Sequence, residues 1–173
     1  MKKSVLTFAM AVSISVSSFA QTAQSVSPSN GGGKFSIGVD AGLPTGDAHQ
    51  LFSSVVGGSI KYELPTAKNT FLTLSGGYQA YLIKSEFKSP GEKSSFGFVP
   101  LKAGIKYYSS DGFFLEAQAG ISISTESGGS TAFAYSPGIG YTFKGGFELG
   151  ARYEAWTKDG TVGQATLRLA FRF

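Results

Sequence analysis

The sequence predicts an all-β fold, an eight-stranded antiparallel up-and-down transmembrane β-barrel with a packed polar lumen. Eight segments of roughly ten residues alternate apolar with polar or small side chains, which is the period of β-strands. Charged residues make up only 15% of the chain, below the ~25% usual in soluble domains. Within the segments the charges fall almost entirely on one face, so the other face is predicted to contact something other than water.

Residues 1–20 have the features of a secretory signal peptide. Lys2 and Lys3 precede an uncharged apolar run that ends at Phe19, and Ser18-Phe19-Ala20 forms a small-x-small cleavage site. The run is about 16 residues long and is interrupted by serines, whereas a membrane-spanning helix needs ~20 predominantly apolar residues. We therefore expect export and cleavage rather than anchoring by a helix.

Residues 21–33 form a Ser-, Gln- and Gly-rich stretch without periodicity, and we interpret it as a flexible lead-in. The two-residue period begins at Lys34 and continues to Phe173, which defines residues 34–173 as the barrel domain. The predicted strands are 34–43, 55–64, 70–82, 96–108, 113–123, 132–143, 147–157 and 163–173. An even number of strands suits an up-and-down membrane barrel.

The predicted connections alternate between long and short. The stretches 44–54, 83–95 and 124–131 are long, 65–69, 109–112 and 144–146 are short, and 158–162 comes last. Ser110-Asp111-Gly112 and Lys144-Gly145-Gly146 are typical of tight hairpins. This alternation predicts short periplasmic turns at one end of the barrel and longer external loops at the other.

The position of the charges decides which face is outside. Alternation alone is also expected of a soluble, lipocalin-like barrel whose apolar face lines a ligand cavity. The polar face, however, combines its charges with many glycines, which cover nothing on a solvent-exposed strand but leave room for long side chains in a narrow lumen. The apolar face has aromatic residues gathered near both strand ends, as in barrels that span a bilayer. The predicted lumen charge network is Asp40, Lys61, Glu63, Lys102, Lys106, Glu116, Glu148, Arg152, Glu154, Arg168 and Arg172.

These charges are nearly balanced, so we expect them to fill the lumen rather than to line a conducting pore. Pairing of the three arginines with Glu116, Glu148 and Glu154 would satisfy charges that are otherwise costly to bury. A narrow pore is the alternative interpretation of the same residues.

Several segments resemble the small outer-membrane β-barrel proteins widespread in Bacteroidetes. They are GVDAGLPTGD (38–47), SIKYEL (59–64), PLKAGIKYY (100–108), AYSPGIGY (134–141), ARYEAW (151–156) and LRLAFRF (167–173). The resemblance extends from Lys34 to the end and implies a shape similar to the eight-stranded membrane domain of outer membrane protein A. It also implies location in the cell outer membrane, in contact with outer-membrane lipid.

The C-terminus looks like the signal by which the barrel-assembly machinery recognises its clients. The residues concerned are Leu167, Leu169, Phe171 and the terminal Phe173. The resemblance therefore implies a transient partner during biogenesis. Most members of such families have no defined activity, so it implies little chemistry.

Catalytic, cofactor and metal sites are not predicted. The chain has no cysteine, which excludes disulfides and thiol catalysis, and its acidic residues are dispersed over separate strands. Some small outer-membrane barrels modify lipid A with a His/Ser pair, so the single histidine, His49, with Asp47, Ser53 and Ser54 nearby, is the candidate for that alternative. An ordinary solvated loop histidine is the preferred interpretation, because a general base also needs an aligned nucleophile.

The expected function is non-enzymatic, either structural or through surface interactions of the external loops. The second external loop has a charged surface with one exposed aromatic residue, and its residues are Lys84, Glu86, Phe87, Lys88, Pro90, Glu92 and Lys93. In the first external loop, Leu51-Phe52 is expected to be exposed in a similar way. We predict a monomer, and the sequence identifies no ligand for the loops, whose ordinary interpretation is a solvated surface without a dedicated ligand. The chain has no Lys/Arg run with interleaved aromatics, so we predict no nucleic-acid partner.

Overall fold

The computed structural model describes residues 32–87, 93–158 and 160–173. The signal peptide and residues 21–31 of the lead-in lie outside the described residues. The strands are β1 (Lys34–Thr45), β2 (Phe52–Ala67), β3 (Thr70–Ile83), β4 (Ser95–Tyr108), β5 (Phe113–Ser124), β6 (Thr131–Thr142), β7 (Phe147–Thr157) and β8 (Thr161–Arg172). A short helix, α1 (Ala48–Leu51), precedes β2, and a 3₁₀ turn spans Ser85–Phe87. In the described part of the chain, no helix is long and apolar enough to cross a membrane.

Strand pairing closes the sheet into the predicted barrel. Each strand pairs antiparallel with the next, and β8 returns to pair with β1 in the order β1 to β8. The last residue completes the closure, because Phe173 and Phe35 exchange backbone hydrogen bonds of 2.9 and 3.1 Å. The predicted fold class is confirmed, and closure leaves no unpaired strand edge to face lipid.

Several strands are longer than predicted, and β2 differs most. Its pairing with β3 continues past Pro65 because the register shifts between Pro65 and Ala67, and a second shift lies between Phe52 and Ser54. A bulge tolerates a proline that a regular ladder excludes. The predicted turn 65–69 therefore contracts to Lys68-Asn69, with Asn69 in the left-handed region at a φ of 61°. The last connection, 158–160, is no longer than the short turns, so the predicted contrast in length fails there.

The apolar side chains at the strand positions that alternate with the charges face outward around the barrel. Phe35 on β1, Leu74 on β3 and Leu167 on β8 are 53%, 53% and 60% exposed. The apolar residues two positions along the same strands are exposed to similar degrees. The charged positions between them are turned inward and buried. This arrangement is the opposite of a lipocalin-like barrel, so the soluble alternative is wrong for this chain.

The two ends of the barrel differ in the connections that they carry. The turn end carries the connections 68–69, 109–112 and 143–146, and the loop end carries those that join β1 to β2, β3 to β4, β5 to β6 and β7 to β8.

Candidate functional site

The lumen is filled by side chains of the eleven charged residues predicted from the sequence. They lie on alternate positions of six strands and form two groups. The turn-end cluster is Lys61, Glu63, Lys106, Glu116, Glu148, Arg168 and Arg172, and the loop-end cluster is Asp40, Lys102, Arg152 and Glu154.

Two lysines organise the turn-end cluster. The Nζ of Lys106 lies 2.7 Å from Glu63 Oε1 and donates a second hydrogen bond to Glu148. The Nζ of Lys61 lies 3.1 Å from an oxygen of Glu116 and 3.1 Å from Glu148 Oε1, and Glu63 Oε1 is 3.4 Å away. Each lysine therefore bridges at least two carboxylates that come from different strands.

The two arginines of β8 complete this cluster. Arg168 donates to Glu148 Oε1 at 3.4 Å, and Arg172 donates to Glu63 Oε2 at 3.1 Å and to the hydroxyl of Tyr108 at 3.0 Å. The three carboxylates are thus shared among four cations, which gives each buried charge a partner of opposite sign.

The loop-end cluster has two cations and two anions. Lys102 pairs with Glu154, and Arg152 Nη2 lies 2.8 Å from Asp40 Oδ1. The Nε of Arg152 is 3.9 Å from Glu154 Oε2, so the two pairs are in contact. Glu154 is fully buried and also accepts a 2.9 Å hydrogen bond from the indole of Trp156.

Ser59 connects the two clusters. Its hydroxyl donates to Asp40 Oδ2 at 2.9 Å and accepts from Arg168 Nε at 3.1 Å. The charges therefore form one hydrogen-bonded column through the lumen rather than two isolated sites.

The pairing differs in detail from the one expected. Of the arginine and glutamate pairs anticipated, Arg168 with Glu148 is present and Arg152 only approaches Glu154. Arg172 instead pairs with Glu63, and Glu116 pairs with Lys61. The difference arises because the stagger of the strands, which the sequence does not display, decides which side chains share a level.

Sequence reasoning missed two buried groups of mostly aromatic side chains at the ends of the lumen. The turn-end cap is Phe71, Tyr108 and Phe114. The loop-end cap is Val55, Tyr81, Ala134 and Trp156, with Phe52, Phe98 and Ala132 packed against it. Strict alternation could have found most of them, since Trp156 shares the parity of Glu154 and Phe114 that of Glu116. The predicted polar lumen is therefore present, and buried, mostly aromatic groups lie at both of its ends.

The turn-end cap contacts the charges directly. The Nζ of Lys106 lies 3.9 Å from the ring centroid of Phe114 and 5.1 Å from that of Tyr108. These distances suit cation–π attraction. Gly140 makes room for this packing, because a Cβ there would overlap the Phe114 ring.

His49 lies exposed on α1 at the loop end. Its side chain forms no hydrogen bond within the described residues, and the hydroxyl of Ser53 donates instead to the backbone oxygen of Leu82. In the part of the chain that the structure describes, no hydrogen bond joins the His49 side chain to a nucleophile or to an orienting acid. Nor does any group of three or more potential metal ligands occur in residues 32–87, 93–158 and 160–173.

One residue predicted on the loop surface lies elsewhere. Phe52 was expected on the first loop surface, but the bulge at the start of β2 turns it inward, where its ring lies 5.3 Å from that of Tyr81. Leu51 and Phe87 are exposed, at 52% and 53%. Lys88, Pro90 and Glu92 lie outside the described residues.

Comparisons with known proteins agree with this architecture. The sequence matches the family model described as the outer membrane protein beta-barrel domain over residues 6–173. Curated protein sequences give no significant match.

Solved structures resemble the chain over most of its length. Ail, the attachment invasion locus protein of Yersinia pestis, is 20% identical with a TM-score of 0.62, over 82% of this chain and 97% of that one. The N-terminal β-barrel domain of Pseudomonas aeruginosa OprF is 17% identical with a TM-score of 0.52, over 80% and 97%. Neisserial surface protein A is 15% identical with a TM-score of 0.51, over 82% and 96%. At these identities the likeness shows the fold alone.

Proposed function

Because the chain belongs to the outer membrane protein beta-barrel domain family, we propose that it is a non-enzymatic outer-membrane protein that acts through surface interactions of its external loops. The lumen supports this proposal most strongly. A column of paired opposite charges lies between the two caps, so the interior serves to stabilise the barrel. The loop end is then the surface that remains for recognition.

The loop end offers a connected surface. The backbone N–H of Lys84 donates to the oxygen of Leu51 at 3.0 Å, which joins the first two loops. Lys93 pairs with Glu126, which joins the second loop to the third. Loops held on a rigid scaffold are common places for binding functions.

Two large apolar side chains stand out on this surface. Leu51 and Phe87 are each more than half exposed, among loops that are otherwise polar or charged. An apolar side chain on a loop gains nothing from water, whereas it can anchor a partner surface. Among the similar structures, Ail carries the description of an attachment invasion locus protein, and a role in attachment is the corresponding proposal for this chain.

The proposal includes a route to the membrane. Residues 1–20 direct export and are removed, and Leu167, Leu169, Phe171 and Phe173 present the C-terminal strand to the barrel-assembly machinery. The finished barrel is a monomer that contacts outer-membrane lipid through its apolar outer face.

A binding experiment on reconstituted protein tests the role of the loops. Fluorescent proteoliposomes are applied to an array of immobilised glycans and extracellular matrix proteins, and the double variant Leu51→Ser/Phe87→Ser is compared with the wild type. We expect wild-type binding to at least one class of probe and its loss in the double variant. The control Gln50→Ser changes an exposed neighbour of Leu51 without removing an apolar side chain, and it should bind as the wild type does.

Two further readouts separate the alternatives. Unitary current steps from the wild type in a planar bilayer would favour a pore. A change in the mass of lipid A that is lost in His49→Ala would favour an enzyme. Binding that is absent from every probe, or unaffected by the double variant, would contradict the proposed use of Leu51 and Phe87.

A further inference from the structure

An apolar groove of about 700 Å³ crosses the outer face of the barrel. Gly58 on β2 and Gly76 on β3 form its floor, and Val39, Ile60 and Leu101 form its walls. The two glycines lie on neighbouring strands, with Gly76 opposite Ile60 and Gly58 opposite Tyr78. The groove therefore lies among side chains that face the membrane, not among those of the lumen.

The chain's own packing does not require either glycine. Neither has a positive φ. A Cβ added at Gly58 would find its nearest atom 3.7 Å away, and one at Gly76 would lie 3.2 Å from the flexible end of Leu101. By contrast, a Cβ at the lumen glycine Gly120 would overlap the backbone of β4. Glycine weakens a strand, so its presence at two open positions indicates that something outside the chain occupies the space.

Other outward glycines are covered by tyrosines of the same chain. Tyr153 lies over Gly163, and Tyr78 lies over Gly97. This covering compensates for the missing side chain. Because Tyr78 leans on Gly97, the space above its cross-strand partner Gly58 stays open, and Gly58 is exposed.

The groove runs from the middle of the barrel wall to the turn end. Gly76 pairs with Ile60, Ile60 with Ile37, Ile37 with Phe171, and Phe171 with Phe147, the first residue of β7. It therefore spans one half of the apolar band, which corresponds to one leaflet. The exposed Lys144 lies in the turn just before Phe147.

We propose that this groove binds an acyl chain of an anionic phospholipid from the leaflet at the turn end, with the phosphate group near Lys144. The groove is continuous with the lipid-facing surface and is bordered by apolar side chains. A flexible acyl chain can follow a groove one side chain deep, whereas the convex wall of a second barrel would rest on its rims and leave the floor empty. Inside a bilayer such binding depends on van der Waals packing rather than on the hydrophobic effect.

Lipid retention tests the proposal. The protein is reconstituted in nanodiscs that contain equal amounts of phosphatidylglycerol and phosphatidylcholine with identical acyl chains, and native mass spectrometry counts the lipids that stay bound. Gly58→Val fills the groove with three carbons in open space, and Ala103→Leu adds three carbons at an exposed outward position of β4 outside the groove. We expect one retained phospholipid, mostly phosphatidylglycerol, on the wild type and on Ala103→Leu. Retention by Gly58→Val should be about tenfold weaker, through the loss of roughly ten carbon–carbon contacts.

The remaining outcomes overturn the proposal or one of its parts. Equal retention by Gly58→Val and the wild type, or no specific retention by the wild type, would exclude an acyl chain in the groove. A wild-type dimer that Gly58→Val dissociates would make a second copy the occupant. Lys144→Gln should abolish the preference for phosphatidylglycerol, and an unchanged preference would contradict the position of the headgroup. A heat-dependent shift in gel mobility verifies that each variant is folded.

Discussion

Replacing Glu154 by alanine removes the carboxylate that pairs with Lys102 in the loop-end cluster. Both side chains are buried, with Glu154 at 0% and Lys102 at 3% exposure. The same carboxylate accepts hydrogen bonds from Trp156 at 2.9 Å and from Gln164 at 3.3 Å. The substitution thus leaves a buried ammonium group without its partner and the indole of Trp156 without its acceptor, while Gln164 keeps its 2.7 Å hydrogen bond to Gln79.

The expected loss of stability follows from the burial of Lys102. Removing one partner of a buried ion pair costs about 3–5 kcal/mol, because the other charge stays in a medium that solvates it poorly. With a urea m-value of about 2 kcal/mol per molar, the unfolding midpoint should fall by about 1.5–2.5 M. Lys102→Met/Glu154→Gln removes both charges and keeps an acceptor for Trp156, so it should recover most of this loss.

The assay is a urea titration of the barrel in lipid vesicles, with the folded fraction taken from the gel band that migrates fast without boiling. Glu126→Ala serves as the control, because it removes the partner of Lys93, which is 68% exposed. An exposed pair contributes about 0–1 kcal/mol, so the control midpoint should move by less than about 0.5 M. If Glu154→Ala lowers the midpoint no more than Glu126→Ala does, the lumen charges do not stabilise the barrel as argued.

Three further predictions concern the lumen wall, the caps and assembly. Gly120→Val should prevent folding, since the added side chain would overlap the backbone of Leu101 and Lys102 on β4; a wild-type yield of heat-modifiable protein would contradict this. Trp156→Ala removes part of the loop-end cap but leaves the charge clusters in place, so planar-bilayer recordings should still show no unitary current steps. Deleting Phe173 removes the residue that exchanges hydrogen bonds with Phe35, and it should lower the amount of folded protein in outer-membrane fractions; an unchanged amount would exclude Phe173 from the assembly signal.

Local pattern was sufficient to identify most of the barrel. A strand displays its alternation directly in the sequence, and a charge cannot face lipid, so Lys61, Glu116 and Arg168 could be placed inward without coordinates. The same reasoning would have found the caps, because Trp156 and Phe114 follow the parity of the charges beside them. It gave less for the ends of β2, where bulges at Phe52 and Pro65 shift the alternation in a way that residue type alone does not reveal.

The strand number, the outward face and the identity of the buried charges can be read from the sequence, because each depends on residues close together in the chain. Which charges meet depends on the closed barrel, since Arg172 and Glu63 are 109 positions apart and the stagger of the strands brings them level. The three-dimensional structure also distinguishes two kinds of glycine. The missing side chain of Gly140 leaves room for the Phe114 ring, whereas that of Gly58 leaves open space on the outer face. That distinction depends on what lies across the strand and beyond it, and a one-dimensional pattern carries no information about either.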